Sequence, residues 1–508
     1  MNAQVLIVGA GPTGLVLALR LAKHGVPFRI IEKHSGPGEA SRALVVHART
    51  LEFYQQMGFA NEVVDGGIKI NNVHVREADK EKAKINFFDL GKGLSPFPFA
   101  LSYPQDDHEQ LLTDKLAAEG IEIEWDTELV SFNDDGKTVQ AVIKKGDQEQ
   151  SSEFAYICGC DGAHSTVRKG LGFEFPGGTY EELFFVVDVE TDRGQLSENT
   201  LNLYMDSEVF YLFMPVRSTG MARIIGIVPR EMNSKHSIQF SDFQSIIEKR
   251  TGLTIKKVNW FSTYNVHHRV SRHFRKGRAF IAGDAGHIHS PAGGQGMNTG
   301  IGDAVNLSWK MAAVLLGKAE KSILDTYEEE RIAFARTLIS TTDKAFTAII
   351  GNQTRSRLIR TFLIPYMAPF LLGNFSSVRK AAFNAISQTK INYRNSGISV
   401  GTAAKIRGGD RLPWVQTENG QNFDSLQSLD WQMHVYGEAS LALKEFATSY
   451  GYEVHEFSWQ SEMKEKGLKR HSLYLIRPDG YIALAETNQD VKKLKSTLSK
   501  FVISPFTE

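Results

Sequence analysis

The chain has 508 residues, 42% hydrophobic and 23% charged, with 58 Lys plus Arg matched by 58 Asp plus Glu. At one domain per ~150 residues it is too long for a single core and suggests about three. Its zero formal net charge argues against nucleic acid or an anionic membrane surface as the main partner. The two cysteines, Cys158 and Cys160, make neither a disulfide framework nor a zinc spacing, and suit a reducing cytoplasm.

In chain order, residues 4–8 (QVLIV) read as a buried parallel strand, 11–24 as a helix closed by Gly25, and 28–31 as a second strand that delivers Glu32 and Lys33. Between the first strand and the helix lies Gly9-Ala10-Gly11-Pro12-Thr13-Gly14. This G-x-G-x-x-G permits a tight turn, close backbone approach to a pyrophosphate and close packing of helix on strand. The helix start offers free N–H groups to phosphate, Pro12 fits the first helical turn, and Glu32 stands where a carboxylate can accept from a ribose hydroxyl. The pattern predicts a site for a compound containing ADP and does not separate NAD from FAD. The same turn breaks the apolar run 5–22, which lacks a basic leader and is not a signal peptide or membrane span.

A helix is expected over 107–119, then strands with polar turns over 121–160. From 181 to 229 the period changes to two, predicting an antiparallel sheet with one covered face. Residues 279–282 return as a short buried strand, followed by a Gly-rich loop, a long helix from about 302 to 316, and further helices to about 386. Within these, 361–372 (TFLIPYMAPFLL) is too short to span a membrane and holds Pro365 and Pro369; it is expected to be a packed interdomain helix pair. A linker marked by Gly408, Gly409 and Pro413 leads to a small α/β domain whose last helix is expected over 488–501.

Two further loops specify the nucleotide site: Cys160-Asp161-Gly162-Ala163-His164-Ser165-Thr166-Val167-Arg168, and Gly283-Asp284-Ala285-Gly286-His287 running on to Ser290-Pro291-Ala292-Gly293-Gly294-Gln295-Gly296-Met297-Asn298. With the N-terminal fingerprint, these resemble the three motifs of class A flavoprotein monooxygenases, the family of para-hydroxybenzoate hydroxylase and phenol hydroxylase, over roughly residues 1–340. The resemblance implies an α/β fold: a Rossmann-like FAD-binding domain (1–178 and 268–340), an antiparallel-sheet substrate domain (179–267), a helical connector (341–400) and, over 401–508, a thioredoxin-like domain without redox cysteines. It implies FAD held by Gly9, Gly11, Pro12, Thr13, Gly14, Glu32, Lys33, Arg42, Gln105 and Asp161. Asp284 would meet the ribityl chain, and Pro291, Gly294, Gly296, Met297 and Asn298 would flank the ring.

The reaction so implied is hydroxylation of a small phenolic or polycyclic aromatic substrate through a C4a-hydroperoxyflavin, with O2 and with NADPH or NADH as transient reductant. A second G-x-G-x-x-G opening a helix is absent, so the reductant lacks a Rossmann domain of its own. Tyr211, Phe213 and Pro291 are the expected substrate contacts, in a sheet rich in Phe and Tyr that roofs the ring. A metal at His287 and His289 is not expected, since no carboxylate or cysteine lies at a supportive spacing. The rival readings are a Baeyer–Villiger or epoxidising monooxygenase, and a flavin-containing binding protein without turnover. A cytoplasmic monomer or homodimer with no membrane span is expected, with a flavin-binding core that survives truncation near residue 399.

Overall fold

Val5–Val8 is buried along its whole length and pairs in parallel with Phe28–Ile31 on one side and Tyr156–Gly159 on the other. The computed structural model describes residues 3–38, 43–77, 80–88, 90–192, 199–205, 210–217, 221–232, 237–350 and 354–500. Ala279–Ile281 extends this sheet in parallel and Arg275–Lys276 closes its edge. Short apolar runs buried on both faces are what a parallel sheet requires. Helix Pro12–Lys23 packs its leucines into the core beneath it, as the apolar spacing predicts. The long helix crossing it begins at Gln295, seven residues before the expected start. Gly300 permits that crossing, because a Cβ there would lie 2.3 Å from Thr13 Oγ1.

The second layer is an eight-stranded sheet ordered His287–Ile288, Ile255–Val270, Gly177–Thr191, Met221–Ile227, Phe210–Arg217, Thr200–Met205, Asn72–Glu77 and Lys80–Asn86. It reaches beyond the expected boundary of 179–267. The hairpin 72–86 comes from the N-terminal half and joins through a parallel pairing with Thr200–Met205, a long-range contact that periodicity cannot reveal. The 3-10 turn Phe240–Asp242 and helix Gln244–Thr251 cover one face, burying Phe185, Tyr204, Tyr211, Phe213, Phe240 and Phe243.

Helix Asp325–Ile350 leads to the wide-turn segment Ile359–Met367 and helix Ala368–Asn374. Pro365 falls inside the wide segment, where its missing N–H breaks the ordinary ladder. The expectation of a packed interdomain pair is overturned: Phe362, Leu363, Tyr366 and Phe370 are exposed.

The C-terminal sheet is ordered Ile406–Arg407, Val400–Ala403, Ile482–Glu486, Leu473–Ile476, Gln432–Tyr436 and Glu453–Phe457, with helices Leu441–Tyr450, Ser461–Glu465 and Val491–Leu498. The expected linker is partly sheet, since Val400–Ala403 pairs with Ile482–Glu486. The domain's turn 477–480 is pressed into the first domain: Arg20 donates to Pro478 O (3.1 Å), Arg49 to Asp479 O (2.7 Å) and Trp309 Nε1 to Asp479 Oδ2 (3.1 Å).

Candidate active site

Three turns converge at the C-terminal ends of the parallel strands, where an α/β sheet opens a crevice for ligands. In the first, Gly9 has φ +104°, and a Cβ on it would lie 2.4 Å from Cys160 O; one on Gly14 would lie 2.0 Å from Gly9 O. Gly11 is different: nothing lies within 4 Å of where its Cβ would be. The outer two glycines serve packing, and the middle one leaves the backbone open to an approaching group. No side chain caps the start of helix Pro12–Lys23. Glu32, mostly buried, accepts from Ala10 N (2.9 Å) and His34 N (3.1 Å), which fixes its carboxylate beside the turn. Lys33 is exposed next to it.

The second turn is built on Asp161, whose Oδ2 accepts from Thr166 N (2.7 Å) and Val167 N (3.1 Å) while Oδ1 is buried without a hydrogen-bond partner. Burial raises its pKa in spite of those bonds. Arg168 donates to Ala163 O (2.8 Å) and to Ala285 O (2.9 Å), joining the second turn to the third.

In the third turn, Asp284 is exposed between buried Gly283 and Ala285. Asp303, from the long helix, braces this turn from behind. It accepts from Gly283 N (3.0 Å) and Arg331 Nε (2.5 Å), and His287 Nε2 lies 2.7 Å from its Oδ2. Burial opposes its charge, but Arg331 and then His287 overcome that and hold the carboxyl below its ordinary range. Arg331 donates in turn to Tyr393 OH (2.8 Å). His287 is therefore a structural partner, and among the described residues no group of three His, Cys, Asp or Glu could hold a metal ion.

Beyond it, Pro291 is exposed, and Gly293 (φ +74°) and Gly294 (φ +63°) turn the chain into helix Gln295–Leu315, which has no side-chain cap. Gly296 and Met297 are half-buried in its first turn. Asn298 is saturated: Oδ1 accepts from His47 N and Thr50 Oγ1 (2.8 Å each), and Nδ2 donates to Val45 O (2.8 Å) and Gly294 O (2.9 Å). Its side chain clamps residues 45–50 to the helix start and is used up in doing so. Gln105 accepts from Ala43 N (3.2 Å) and donates to Glu109 (2.7 Å), anchoring the segment that follows Arg42. Arg42 itself lies outside the described residues.

The profile of a family described as "FAD binding domain" matches residues 2–342. The chain belongs to this family. It is 30% identical to 6-methylpretetramide 4-monooxygenase of Streptomyces rimosus over 99% of this chain and 94% of that one. It is also 30% identical to pentachlorophenol 4-monooxygenase of Sphingobium chlorophenolicum, over 81% of this chain and 76% of that one. The solved structure of OxyS anhydrotetracycline hydroxylase from Streptomyces rimosus superposes with a TM-score of 0.78 at 26% identity, covering 99% of both chains. The protein is an FAD-dependent monooxygenase, as the three motifs imply.

In this monooxygenase the roof corrects the sequence reading. Cross-strand partners share a face of a sheet, and Tyr211 and Phe213 (2% and 1% exposed) share theirs with Phe185 and Val187, in the core beneath helix Gln244–Thr251. The opposite face carries Leu212 and Met214, packed with Leu44 and Val45. Val45 in turn touches Gly294, since a Cβ there would lie 2.9 Å from Val45 Cβ. Leu212 and Met214, one residue out of phase with the expected pair, face the loop of Gly293 and Gly294 through Leu44 and Val45. On the same face Arg223 is paired with Asp188 at 2.7 Å through both Nε and Nη2. Sequence reasoning also missed Asp303; the signal was a lone carboxylate in the helix Gln295–Leu315.

Proposed function

We propose that the monooxygenase hydroxylates a phenolic or polycyclic aromatic substrate, with O2 and with NADPH or NADH as reductant. The observation that carries this reading is the apolar sheet face of Leu212 and Met214, packed through Leu44 and Val45 toward Gly294 at the uncapped start of helix Gln295–Leu315. The residues fit FAD: open backbone at Gly11 and an uncapped helix for the pyrophosphate, Glu32 for the ribose, and the outward carboxylate of Asp284 for the ribityl chain. Pro291, Gly294, Gly296 and Met297 flank the ring, and Asp161 and Lys33 border the crevice.

FAD bound here would supply the oxygen-transfer chemistry. The chain's own part is orientation, dryness and charge. N–H groups at the helix start favour negative charge nearby. Leu44, Val45, Leu212 and Met214 exclude water from the ring's surroundings. Relatives that act on methylpretetramide, pentachlorophenol and anhydrotetracycline support an aromatic substrate class. We further infer a thioredoxin-like C-terminal domain, supported by its parallel strand–helix–strand unit (432–457) followed by two antiparallel strands.

The deciding experiment screens phenols and polycyclic aromatics for substrate-triggered NADPH and NADH oxidation and weighs the products. A product heavier by one oxygen and keeping its ring is expected. A ring-expanded lactone, an epoxide, or no stimulation by any compound would overturn the reading.

A further inference from the structure

The neutral total conceals a local imbalance. From Lys344 through Gly409 the sequence has no Asp or Glu against ten Lys and Arg. Inside this stretch, segment Ile359–Met367 and helix Ala368–Asn374 lie along Lys80–Asn86, the edge strand of the eight-stranded sheet. Leu358, Phe362, Tyr366 and Phe370 recur every four residues and are 61%, 52%, 52% and 58% exposed; Leu363 and Phe375 are 48% and 47% exposed. Six of the eleven exposed large hydrophobic side chains among the described residues thus fall between 358 and 375. Arg360 and Pro365 are buried on the other side, so the apolar stripe is one-sided. The aromatic rings pair with one another, Phe362 with Tyr366 at 6.0 Å and Phe370 with Phe375 at 6.4 Å. Lys82, ion-paired with Glu77 at 2.9 Å, lies within electrostatic reach of Tyr366; Lys80, Lys84, Lys344 and Lys380 are exposed, as is Glu81, the one carboxylate of the edge strand.

We propose that this stripe seats the monooxygenase on an anionic phospholipid surface. The aromatic and leucine side chains enter the boundary between headgroups and acyl chains, and the surrounding lysines meet the lipid phosphates. A contiguous exposed apolar patch marks an interaction surface, and an apolar stripe edged by basic residues fits an interfacial membrane contact. Charge complementarity selects the occupant. A second copy docking through the same patch would set two surfaces with more lysines than carboxylates against each other. Among the described residues no helix is long and apolar enough to cross a membrane, so the contact lies on the surface. The balance of the whole chain, which argues against an anionic membrane, averages this patch away.

The test is co-sedimentation of the flavin-loaded full chain with vesicles of phosphatidylcholine alone or of phosphatidylcholine with phosphatidylglycerol. Binding to the anionic vesicles, weakened by high salt, is expected. Phe362→Ser/Tyr366→Ser/Phe370→Ser should lower that partition about tenfold or more while flavin content stays unchanged. Should the triple variant misfold, Lys82→Glu/Lys380→Glu reads the same surface and should abolish the preference for anionic lipid. The proposal is overturned by absence of binding to anionic vesicles or by equal binding to both vesicle types. It is equally overturned by a lipid-free dimer that the triple variant converts to monomer, which would assign the stripe to a second copy.

Discussion

Arg477 and Glu330 form a two-point ion pair between the C-terminal domain and the first domain, Nη1 2.7 Å from Oε1 and Nη2 2.9 Å from Oε2, with neither side chain exposed. Lys310 Nζ and Asn306 Nδ2 also donate to Glu330 (2.8 and 2.7 Å), and Asp479 accepts from Arg477 on its far side. Burial opposes the charge on Glu330, but Arg477 and then Lys310 hold its carboxyl well below the ordinary range. Removing one partner of such a pair leaves a buried charge uncompensated, so Arg477→Met should cost ~3–5 kcal/mol in the urea-unfolding free energy. Truncation near residue 399 would take Arg477 from Glu330, Pro478 O from Arg20 and Asp479 O from Arg49. Against the expectation of a self-sufficient core, the truncated chain should be insoluble or release flavin.

His47 gives a pH dependence. It is fully buried beside Gly293 and Gly294, and burial lowers its pKa to about 4 although those backbone groups partly oppose the shift. Because the folded value lies below the unfolded 6.5, the unfolded chain takes up the proton first. Stability from the neutral ring is complete above pH 6.5 and lost as pH falls to about 4, up to ~3 kcal/mol in all. Urea midpoints measured between pH 7 and 4 should fall less steeply in His47→Gln. An identical slope in the variant counts against His47 as the titrating group.

The fingerprint glycines should separate by phenotype. Gly11→Ala meets nothing in the protein and should leave the melting temperature of the flavin-free chain within about 2 °C. Its methyl group would occupy the backbone approach that a pyrophosphate needs, so FAD affinity should drop at least about tenfold. Gly14→Ala, clashing with Gly9 O, should destabilise the flavin-free chain itself. Equal behaviour of the two would refute the division of roles.

Asp284→Ala should purify with markedly less flavin, read as the ratio of visible to protein absorbance. Glu32→Ala removes the acceptor of Ala10 N and one expected ribose bond, and should weaken FAD by ~1.5–3 kcal/mol. Full flavin occupancy in Asp284→Ala would sink the ribityl assignment.

The two faces of the roof predict opposite effects. Phe213→Ala removes a ring from the closed core and should cost ~3–5 kcal/mol of stability. Met214→Ala, on the face toward the flavin loop, should act mainly on the KM for the aromatic substrate or on the yield of product per reductant consumed. A purely structural role for Met214 would move stability and leave both unchanged.

Sequence alone determined what is local. Residues 4–32 read as strand, glycine turn, helix and strand because burial on both faces and the backbone demands of the turn are written in consecutive residues. The three motifs identified the flavin family for the same reason: each is a short loop whose spacing is its chemistry. Only the tertiary structure decided which partners lie far apart in the chain. The hairpin 72–86 joins a sheet formed mostly by residues after 176, Asp303 braces a turn twenty residues before it, and Arg477 reaches Glu330 across the domain boundary. It also decided phase. A run of alternating apolar residues has two faces, and composition cannot say which one meets helix Gln244–Thr251. That contact hides Tyr211 and Phe213 and leaves Leu212 and Met214 toward the flavin loop, because a period of two gives the alternation but not its sign.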